Sequence, residues 1–313
     1  MITPSSGVPN IKTDGSAVLT LYSKKFNKRF WETDALVIAT TSEYFKDLKK
    51  GDQVEITGAP TVTWKAYENG MNLGTPNRQK LTKISVVIDQ AQFFNEALTD
   101  VDAELSHLML ETEYIDTAVK DGQAVVNTEF FTAMQDAAHA SNKGATAGKT
   151  SKSFNLGTTA APVAVNTSTV VKFITQLRAV IREQKVADQE IWVFIPPWMH
   201  DLLINSEIKS ALAMGDSTSV LRSGFIGKLA GKLSLFESTY LPTYTTGALS
   251  ASNPNLVLAG TKEAIAYTMR LNKVEKVRIG NFETLLQGLM VWGRKCVKPE
   301  LLINAWAYKA AEA

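Results

Sequence analysis

The pattern of apolar and polar positions changes several times along the chain, and the first regular pattern is an alternation. Between "GDQVEITGAP" and "LTKISVVIDQ" apolar residues recur at every second position, and the turn-rich "YENGMNLGTPNRQK" separates two such runs. The alternating residues are Val62, Trp64 and Ala66 in the first run and Ile84, Val86 and Ile88 in the second. A period of two is typical of β-strands. We predict a long two-stranded ribbon, whose open edges favour a position against another part of the protein or another subunit.

Residues 99–141 follow a helical period instead. Thr99 is a candidate N-cap, because the acidic residues directly after it would lie in the first turn, where the helix dipole favours negative charge. An apolar stripe follows, and Gly122 is expected to interrupt it before a second stretch through Phe130, Phe131 and Met134. We predict one long helix or a broken pair of helices.

The rest of the chain combines helices with buried strands. In "STVVKFITQLRAVIREQ" the apolar residues share one face of an amphipathic helix. "EIWVFIPP" is an almost continuous apolar run that two prolines end, which is typical of a strand covered on both faces. "WMHDLLIN" predicts a short helix, and residues 255–313 alternate again and predict several strands.

The N-terminal segment has a different character. Its first 20 residues are rich in Gly, Pro, Ser and Thr and show no amphipathic period. "YSKKFNKRFW" then places Phe30 and Trp31 beside four basic residues, a mixture that can bind nucleic acid. We favour a solvated face whose aromatic residues anchor an arm on a neighbouring subunit.

Composition is that of an ordinary soluble globular protein. A chain of 313 residues suggests about two domains. The net charge of +2, from 33 basic and 31 acidic residues, is too small for a dedicated nucleic-acid-binding protein. Cys296 is the only cysteine, so no disulfide can form within the chain. No secretory signal and no membrane-spanning run is visible, and we expect a soluble protein made in the cytoplasm.

The strongest candidate for chemistry is "GATAGKT", which resembles a nucleotide phosphate loop. That motif reads G-x-x-x-x-G-K-[ST] between a strand and a helix, whereas here Lys143 occupies the position of the first glycine. The sequence before the motif is helix-like, and no helical pattern follows it. We therefore interpret residues 141–168 as a surface loop.

Other sites fail similar tests. "DVDAELSHLMLE" has acidic residues at calcium-loop spacing, but Leu105 stands where the loop requires glycine. His107, His139 and His200 are scattered, and Cys296 lies in a strand-like apolar setting. We expect no enzyme activity, no cofactor and no metal.

The order of these elements resembles that of a known family. "GDQVEITGAPTVTWKAYENG" and "KISVVIDQAQFFNEALTDVDAEL" are similar to the extended loop and the entry to the spine helix of tailed-bacteriophage major capsid proteins, the Hong Kong 97-type coat fold. "EIWVFIPPWMHDLLIN", "GFIGKLAGKLSLFESTYLP", "LVLAGTKEAIAYTMRLNKVEKVR" and "FETLLQGLMVWGRKCVKPELL" resemble its later strands and turns. The resemblance covers roughly residues 35–305.

The resemblance implies an α+β fold with a peripheral domain, an axial domain, an arm and an extended loop. The segments it implies are an N-terminal arm over 1–34, peripheral domain over 35–57, extended loop over 58–85, peripheral domain with the spine helix over 86–160, axial domain over 161–270, and peripheral closing strands over 271–313.

The function implied is that of a structural coat protein. Hexamers and pentamers of the chain would assemble into the icosahedral head shell around double-stranded DNA, in the virion capsid and after assembly in the host cytoplasm. The implied partners are other copies of the chain, a separate scaffolding protein, a portal protein, a possible decoration protein and, weakly and without specificity, the packaged DNA.

Residues expected at subunit interfaces lie in the arm and the ribbon. They are Phe30, Trp31, Trp64, Lys65, Tyr67 and Lys83. Some family members crosslink through a lysine of the extended loop, and Lys65, Lys80 and Lys83 are the lysines there, although no motif selects one.

Two alternatives remain open at this level. An encapsulin-type nanocompartment shell would share the fold and enclose cargo enzyme instead of a genome. A nucleotide-hydrolysing enzyme would use Lys149 and Thr150 of the "GATAGKT" loop.

Overall fold

The computed structural model describes most of the predicted elements. It describes residues 35–43, 53–58, 62, 64–71, 81, 83–99, 110–185, 189–206, 228–229, 232–244, 250–279 and 283–311. Phe30, Trp31, Lys80 and the acidic stretch 100–109 lie outside the described residues, so the predictions made for them stay predictions.

Helices and strands alternate irregularly along the described chain. The helices are α1 (Ala35–Ala39), α2 (Leu110–Met134), α3 (Val170–Glu183) and α4 (Pro197–Asn205), with 3-10 turns at Ala140–Asn142 and Pro299–Leu301. The strands are β1 (Thr40–Thr41), β2 (Gln53–Thr57), β3 (Lys83–Val87), β4 (Gln90–Thr99), β5 (Val163–Val165), β6 (Ile191–Ile195), β7 (Lys228–Leu229), β8 (Leu233–Glu237), β9 (Asn255–Thr261), β10 (Ile265–Ile279), β11 (Glu283–Cys296) and β12 (Leu302–Lys309).

A mixed sheet of six strands, in the order β5-β12-β9-β6-β8-β7, carries most of the core. β6 is parallel to β8 and antiparallel to β9, and β12 is antiparallel to β9 and parallel to β5. The last long strand of the chain therefore lies inside this sheet, although the sequence division assigned residues 271–313 to the peripheral domain. That division as a whole stays a prediction.

Both faces of the six-stranded sheet are covered. Ile191, Val193 and Ile195 of β6 pack with α3 and α4 on one face, in a cluster that includes Leu177. Trp192 and Phe194 point to the other face, where α1 and the end of α2 pack. Double coverage explains why all of β6 is buried, and it confirms the strand expected for "EIWVFI".

A second sheet, in the order β1-β10-β11-β4, consists mainly of a long antiparallel hairpin. β10 and β11 pair from Ile265 opposite Cys296 to Ile279 opposite Glu283, with an irregularity between Met269 and Leu271. β4 extends the sheet along the other side of β11. The strands expected from the alternation after residue 255 are confirmed.

Two details of the long helix differ from prediction. Thr99 is the last residue of β4 and not an N-cap, because the strand pairs with β11 up to that point. Gly122 does not interrupt the helix, which continues from Leu110 to Met134. Met290 of β11 lies so close to Gly122 that a side chain there would collide with it. Close packing on the sheet, and not a break in the helix, explains this glycine.

The ribbon is shorter than predicted and its base has a core. β2 and β3 pair from Gln53 opposite Val87 to Thr57 opposite Lys83. Val54, Ile56 and Val86 are buried against Ala266 and Val297 of the same chain. Val62, Trp64 and Ala66 do not belong to any strand, so their alternation did not indicate one.

Two buried asparagines connect the layers. The amide of Asn142 donates to the carbonyl oxygens of Glu300 (2.7 Å) and Leu302 (3.0 Å), and its own oxygen accepts from Gln184 (2.6 Å). Asn304 in β12 donates to the carbonyl oxygens of Met134 (2.9 Å) and Gln135 at the end of α2. These bonds satisfy backbone groups that the helix and the turn leave unpaired.

Removal of the Asn142 side chain tests this connection. We expect Asn142→Ala to lower the free energy of unfolding by about 1–3 kcal/mol, because it leaves buried carbonyl groups without donors. Asn205→Ala, at an exposed helix end, is the matched control and should change the same quantity by less than about 0.5 kcal/mol. Urea denaturation of the unassembled chain gives both values, and equal effects would contradict the role of Asn142.

Candidate functional site

The "GATAGKT" loop is a fixed structure that folds onto the end of α3. Ala147 and Phe154 exchange two backbone hydrogen bonds of 2.8 and 3.1 Å, and Ala147 is fully buried. Glu183 of α3 accepts hydrogen bonds from the backbone N–H groups of Thr150 (2.9 Å) and Ser151 (3.1 Å). The side chain and backbone of Ser151 and the backbone of Thr150 hold the pKa of Glu183 below its usual value.

This geometry differs from a phosphate loop in three ways. A 3-10 turn at Ala140–Asn142 precedes the loop where a strand is needed, and after the loop the chain continues into β5, not a helix. The N–H groups of Thr150 and Ser151 bind a carboxylate of the chain itself. A phosphate at that place would meet the negative charge of Glu183. The "GATAGKT" stretch is a loop, as predicted, but the loop predicted over 141–168 is wrong in part, because β5 lies within it and Ala147 and Leu156 are fully buried.

The other reactive side chains have structural environments. Burial raises the pKa of the Cys296 thiol to about 12, so the thiol is protonated at neutral pH and a poor nucleophile. His139 accepts a hydrogen bond from the backbone of Ser141. His200 in α4 lies 2.5 Å from Glu237 at the end of β8, a pair that sequence spacing did not reveal.

Metal and membrane sites are not visible in the described ranges. Among the residues that the structure describes, no three His, Cys, Asp or Glu side chains lie together as metal ligands. The same part of the chain contains no helix with the length and apolar character that crossing a membrane requires.

Several exposed apolar residues lie on the segment between β2 and β3, including the most exposed large apolar side chain of the described residues, Trp64. Trp64 is 92% exposed and Tyr67 is 66% exposed, and Val62 and Met71 are exposed nearby. A backbone hydrogen bond from Met71 N to Glu68 O closes a turn here, and Gly70 has a φ of 84°, which glycine adopts without strain. We call the described residues of this segment, 62 and 64–71, the exposed tip. The described residues leave these two aromatic side chains largely uncovered.

A second apolar surface lies on the long hairpin sheet, and sequence reasoning missed it. Phe93 of β4 is 79% exposed and stands opposite Leu289 of β11, which is also exposed. Met290 and Trp292, the alternate residues of β11, face α2 instead. The alternation of "GLMVW" could have indicated two faces, but only the position of α2 decides which face is covered.

The candidate lysines differ in their surroundings. Lys65 is exposed on the tip. Lys83 at the start of β3 donates to Glu55 at 2.8 Å, and this hydrogen bond raises its pKa. Lys83 thus stabilises the base of the ribbon within one chain. The structure does not bring Lys83 together with Trp64 and Tyr67, and the interface role of all four residues stays a prediction.

Several solved structures of phages are similar to this chain in architecture. A chain of Mycobacterium phage Che8 matches with a TM-score of 0.73 and 21% identity over 93% of this chain and 98% of that chain. The capsid structure of cyanophage P-SCSP1u matches 99% of both chains, with a TM-score of 0.70 and 15% identity. This chain has the fold of a phage capsid subunit. The mature capsid of bacteriophage PhiM1 matches 96% of this chain and 95% of its own, with a TM-score of 0.62 and 15% identity.

The likeness is one of fold. Comparison of the sequence with protein-family models and with curated proteins gives no match. The α+β class and the capsid-type fold expected from the sequence are confirmed. The capsid fold thus accounts for the order of elements over almost the whole chain.

The ionisation of Glu183 gives a test of the loop geometry. Its pKa is lowered in the folded state, so its contribution to stability is present above the unfolded pKa of about 4.3 and is lost as pH falls through the lower folded pKa. We expect Glu183→Gln to be less stable than the wild type at pH 7, with a difference that shrinks toward pH 3. Urea denaturation at both pH values measures it.

Glu68→Gln on the exposed tip makes the same chemical change where the side chain has no backbone partner in the described structure. It shows how much of the difference comes from the substitution itself. A Glu183→Gln effect that is the same at both pH values would show that the carboxylate charge does not hold the loop.

Proposed function

We propose that this chain is the major capsid protein of a tailed phage and forms the icosahedral head shell. The observation that carries this proposal is the match of nearly the whole chain to nearly the whole of capsid chains, such as those of P-SCSP1u and PhiM1. A coat subunit has little beyond its shell-forming fold, and coverage of both chains fits that. No nucleotide, metal or nucleophile site competes for the assignment within the described residues.

The proposed axial and peripheral domains correspond to the two sheets. The six-stranded sheet with α3 and α4 would form most of the axial domain, around the centre of each hexamer or pentamer. The second sheet with α2 as the spine helix would form the peripheral domain. The exposed tip between β2 and β3 would belong to the extended loop. Residues 1–34, outside the described part of the chain, would form the arm.

Assembly then needs no chemical reaction. Rings of identical subunits close by repeated contacts, and many modest contacts give a robust shell. Trp64 and Tyr67 supply large apolar surfaces that gain most when a neighbouring subunit covers them. The face of the long hairpin sheet opposite α2, which carries Phe93 and Leu289, is a second surface of this kind.

The expected partners follow from the same proposal. Hexamers and pentamers of the chain would be guided by a separate scaffolding protein and joined to a portal protein, with a decoration protein possible on the finished shell. The packaged DNA would be contacted weakly and without specificity. Assembly would take place in the host cytoplasm and the product would be the virion capsid.

Negative-stain electron microscopy with size-exclusion chromatography tests the function. We expect the purified chain to form closed shells, tubes or separate hexamer and pentamer rings, either alone or when crowding agent and salt are added. A chain that remains a monomer under all these conditions, and also with its scaffold, would contradict the proposal.

Substitution of Trp64 tests the role of the exposed tip. We expect Trp64→Ala to raise the protein concentration needed for assembly about thirtyfold, because a central aromatic contact contributes about 2 kcal/mol to an interface. Light scattering during assembly measures this concentration. Trp64→Phe should recover most of the loss because it keeps an aromatic ring.

Thermal unfolding of the unassembled chain separates assembly from folding. Trp64 is almost fully exposed, so the melting temperature of Trp64→Ala should equal that of the wild type. Normal assembly of Trp64→Ala would rule out a central interface position for this residue.

A further inference from the structure

Charge is distributed unevenly along this nearly neutral chain. The net charge of the whole is +2, but residues 143–185 contain seven basic residues and one acidic residue, Glu183. The basic residues are Lys143, Lys149, Lys152, Lys172, Arg178, Arg182 and Lys185. The remainder of the chain has an excess of acidic residues. Near-neutral composition therefore conceals one strongly basic segment.

The fold brings the two ends of this segment together. Glu183 binds the N–H groups of Thr150 and Ser151, so Lys149 and Lys152 flank the C-terminal end of α3. Lys185 follows that end directly, with its N–H bonded to the carbonyl of Arg182. The buried face of α3 is apolar, which leaves the basic residues on the remaining surface. We call the four exposed lysines of this segment, Lys149, Lys152, Lys172 and Lys185, the basic strip.

The single acidic residue of the segment does not pair with the exposed lysines of this strip. Glu183, the single acidic residue of the segment, is held by backbone N–H groups of the loop. Lys143 is excluded from the strip because its ammonium lies 4.0 Å from a carboxylate oxygen of Asp136. In the described residues Lys149, Lys152, Lys172 and Lys185 are exposed and form no ion pair.

The backbone at two of these lysines is unusual. Lys152 has a φ of 48° and Lys185 a φ of 60°, and they are the two non-glycine residues with positive φ in the described chain. Side chains are disfavoured in this left-handed region. Both strained positions lie beside the same carboxylate and both present an ammonium group to solvent.

We propose that the basic strip binds the phosphate backbone of double-stranded DNA. The inference rests on the proposed function, which places a DNA genome inside the shell. α3 has 14 residues and is about 20 Å long, and duplex DNA carries about 12 phosphate charges over that distance. No aromatic side chain belongs to the strip, so it offers no platform on which unpaired bases could stack.

The binding expected is weak, independent of sequence and sensitive to salt. Each phosphate contact steepens the dependence of affinity on salt by a fixed amount, so a few lysines hold DNA loosely at physiological salt. A container for DNA benefits from contacts of this strength, because the genome must be packed against the wall and later released.

Fluorescence anisotropy of a labelled 20-base-pair duplex tests the proposal. The full chain is used at a concentration where size-exclusion chromatography shows no shells, over a series of NaCl concentrations from 50 mM upward. We expect the triple variant Lys149→Gln, Lys172→Gln, Lys185→Gln to bind at least about tenfold more weakly at the lowest salt. The slope of log affinity against log salt should become shallower by about 0.9 for each lysine that contacts a phosphate.

A triple variant with the same change in charge elsewhere is the control. Lys262→Gln, Lys276→Gln, Lys295→Gln removes three exposed lysines outside the strip and should leave the slope unchanged. Equal losses in the two variants, or no binding by the wild type at 50 mM NaCl, would overturn the proposal. Polyglutamate that binds the strip more tightly than the duplex would also overturn it, in favour of an acidic protein.

Electron microscopy of the same variants separates the two proposals. Closed shells from a wild-type chain that does not bind DNA would overturn this inference and leave the coat function intact. DNA binding by a chain that forms neither shells nor rings would do the reverse.

Discussion

The described structure depends on β12, which lies inside the six-stranded sheet. Its side chains contribute to the hydrophobic clusters on both faces of that sheet. Its residue Asn304 bonds to the end of α2, which is 170 positions away in sequence at Met134, and Asn142 bonds to the carbonyl of Leu302, 160 positions away. Bonds between such distant segments form only once most of the chain is ordered, and each satisfies a buried polar group that would otherwise be costly. The strand β12 therefore joins the six-stranded sheet, the long helix α2 and the segment that begins the "GATAGKT" loop into one unit.

Two regions around this unit, the ribbon and the long hairpin, have apolar surface that the core of the described chain does not cover. The ribbon is anchored at its base by Val54, Ile56 and Val86, but its tip exposes Trp64 and Tyr67. The long hairpin is covered by α2 on one face and exposes Phe93 and Leu289 on the other. Apolar surface of this kind is stabilised by burial, and association with another subunit would bury it. This arrangement fits the proposed role of a shell subunit.

In the "GATAGKT" loop, the sequence resembles a phosphate-binding motif, but the contacts differ from those of such a motif. "GATAGKT" has the G-K-T end of a phosphate loop but not its first glycine, and the N–H groups of Thr150 and Ser151 donate to Glu183 of the chain itself. The same contact places Lys149 and Lys152 beside the end of α3, so these two lysines become part of a basic surface. The partner of these N–H groups therefore depends less on the residue types of the loop than on α3, the helix against which the loop packs.

The sequence by itself determined the elements whose periodicity follows from burial. The apolar face of α3, the fully buried β6 and the strands after residue 255 could be predicted because a single covered face, or two, produces a characteristic pattern. Those patterns and their order also indicated the capsid fold.

Tertiary structure decided the rest. Gly122 lies in a continuous helix because Met290 packs on it, Thr99 ends a strand because β11 pairs with it, and Phe93 is exposed because α2 covers the opposite face. The pairing of His200 with Glu237, and of Glu183 with the loop, joins residues far apart in the chain. Sequence spacing carries no information about such contacts, since they arise only when separate elements meet in space.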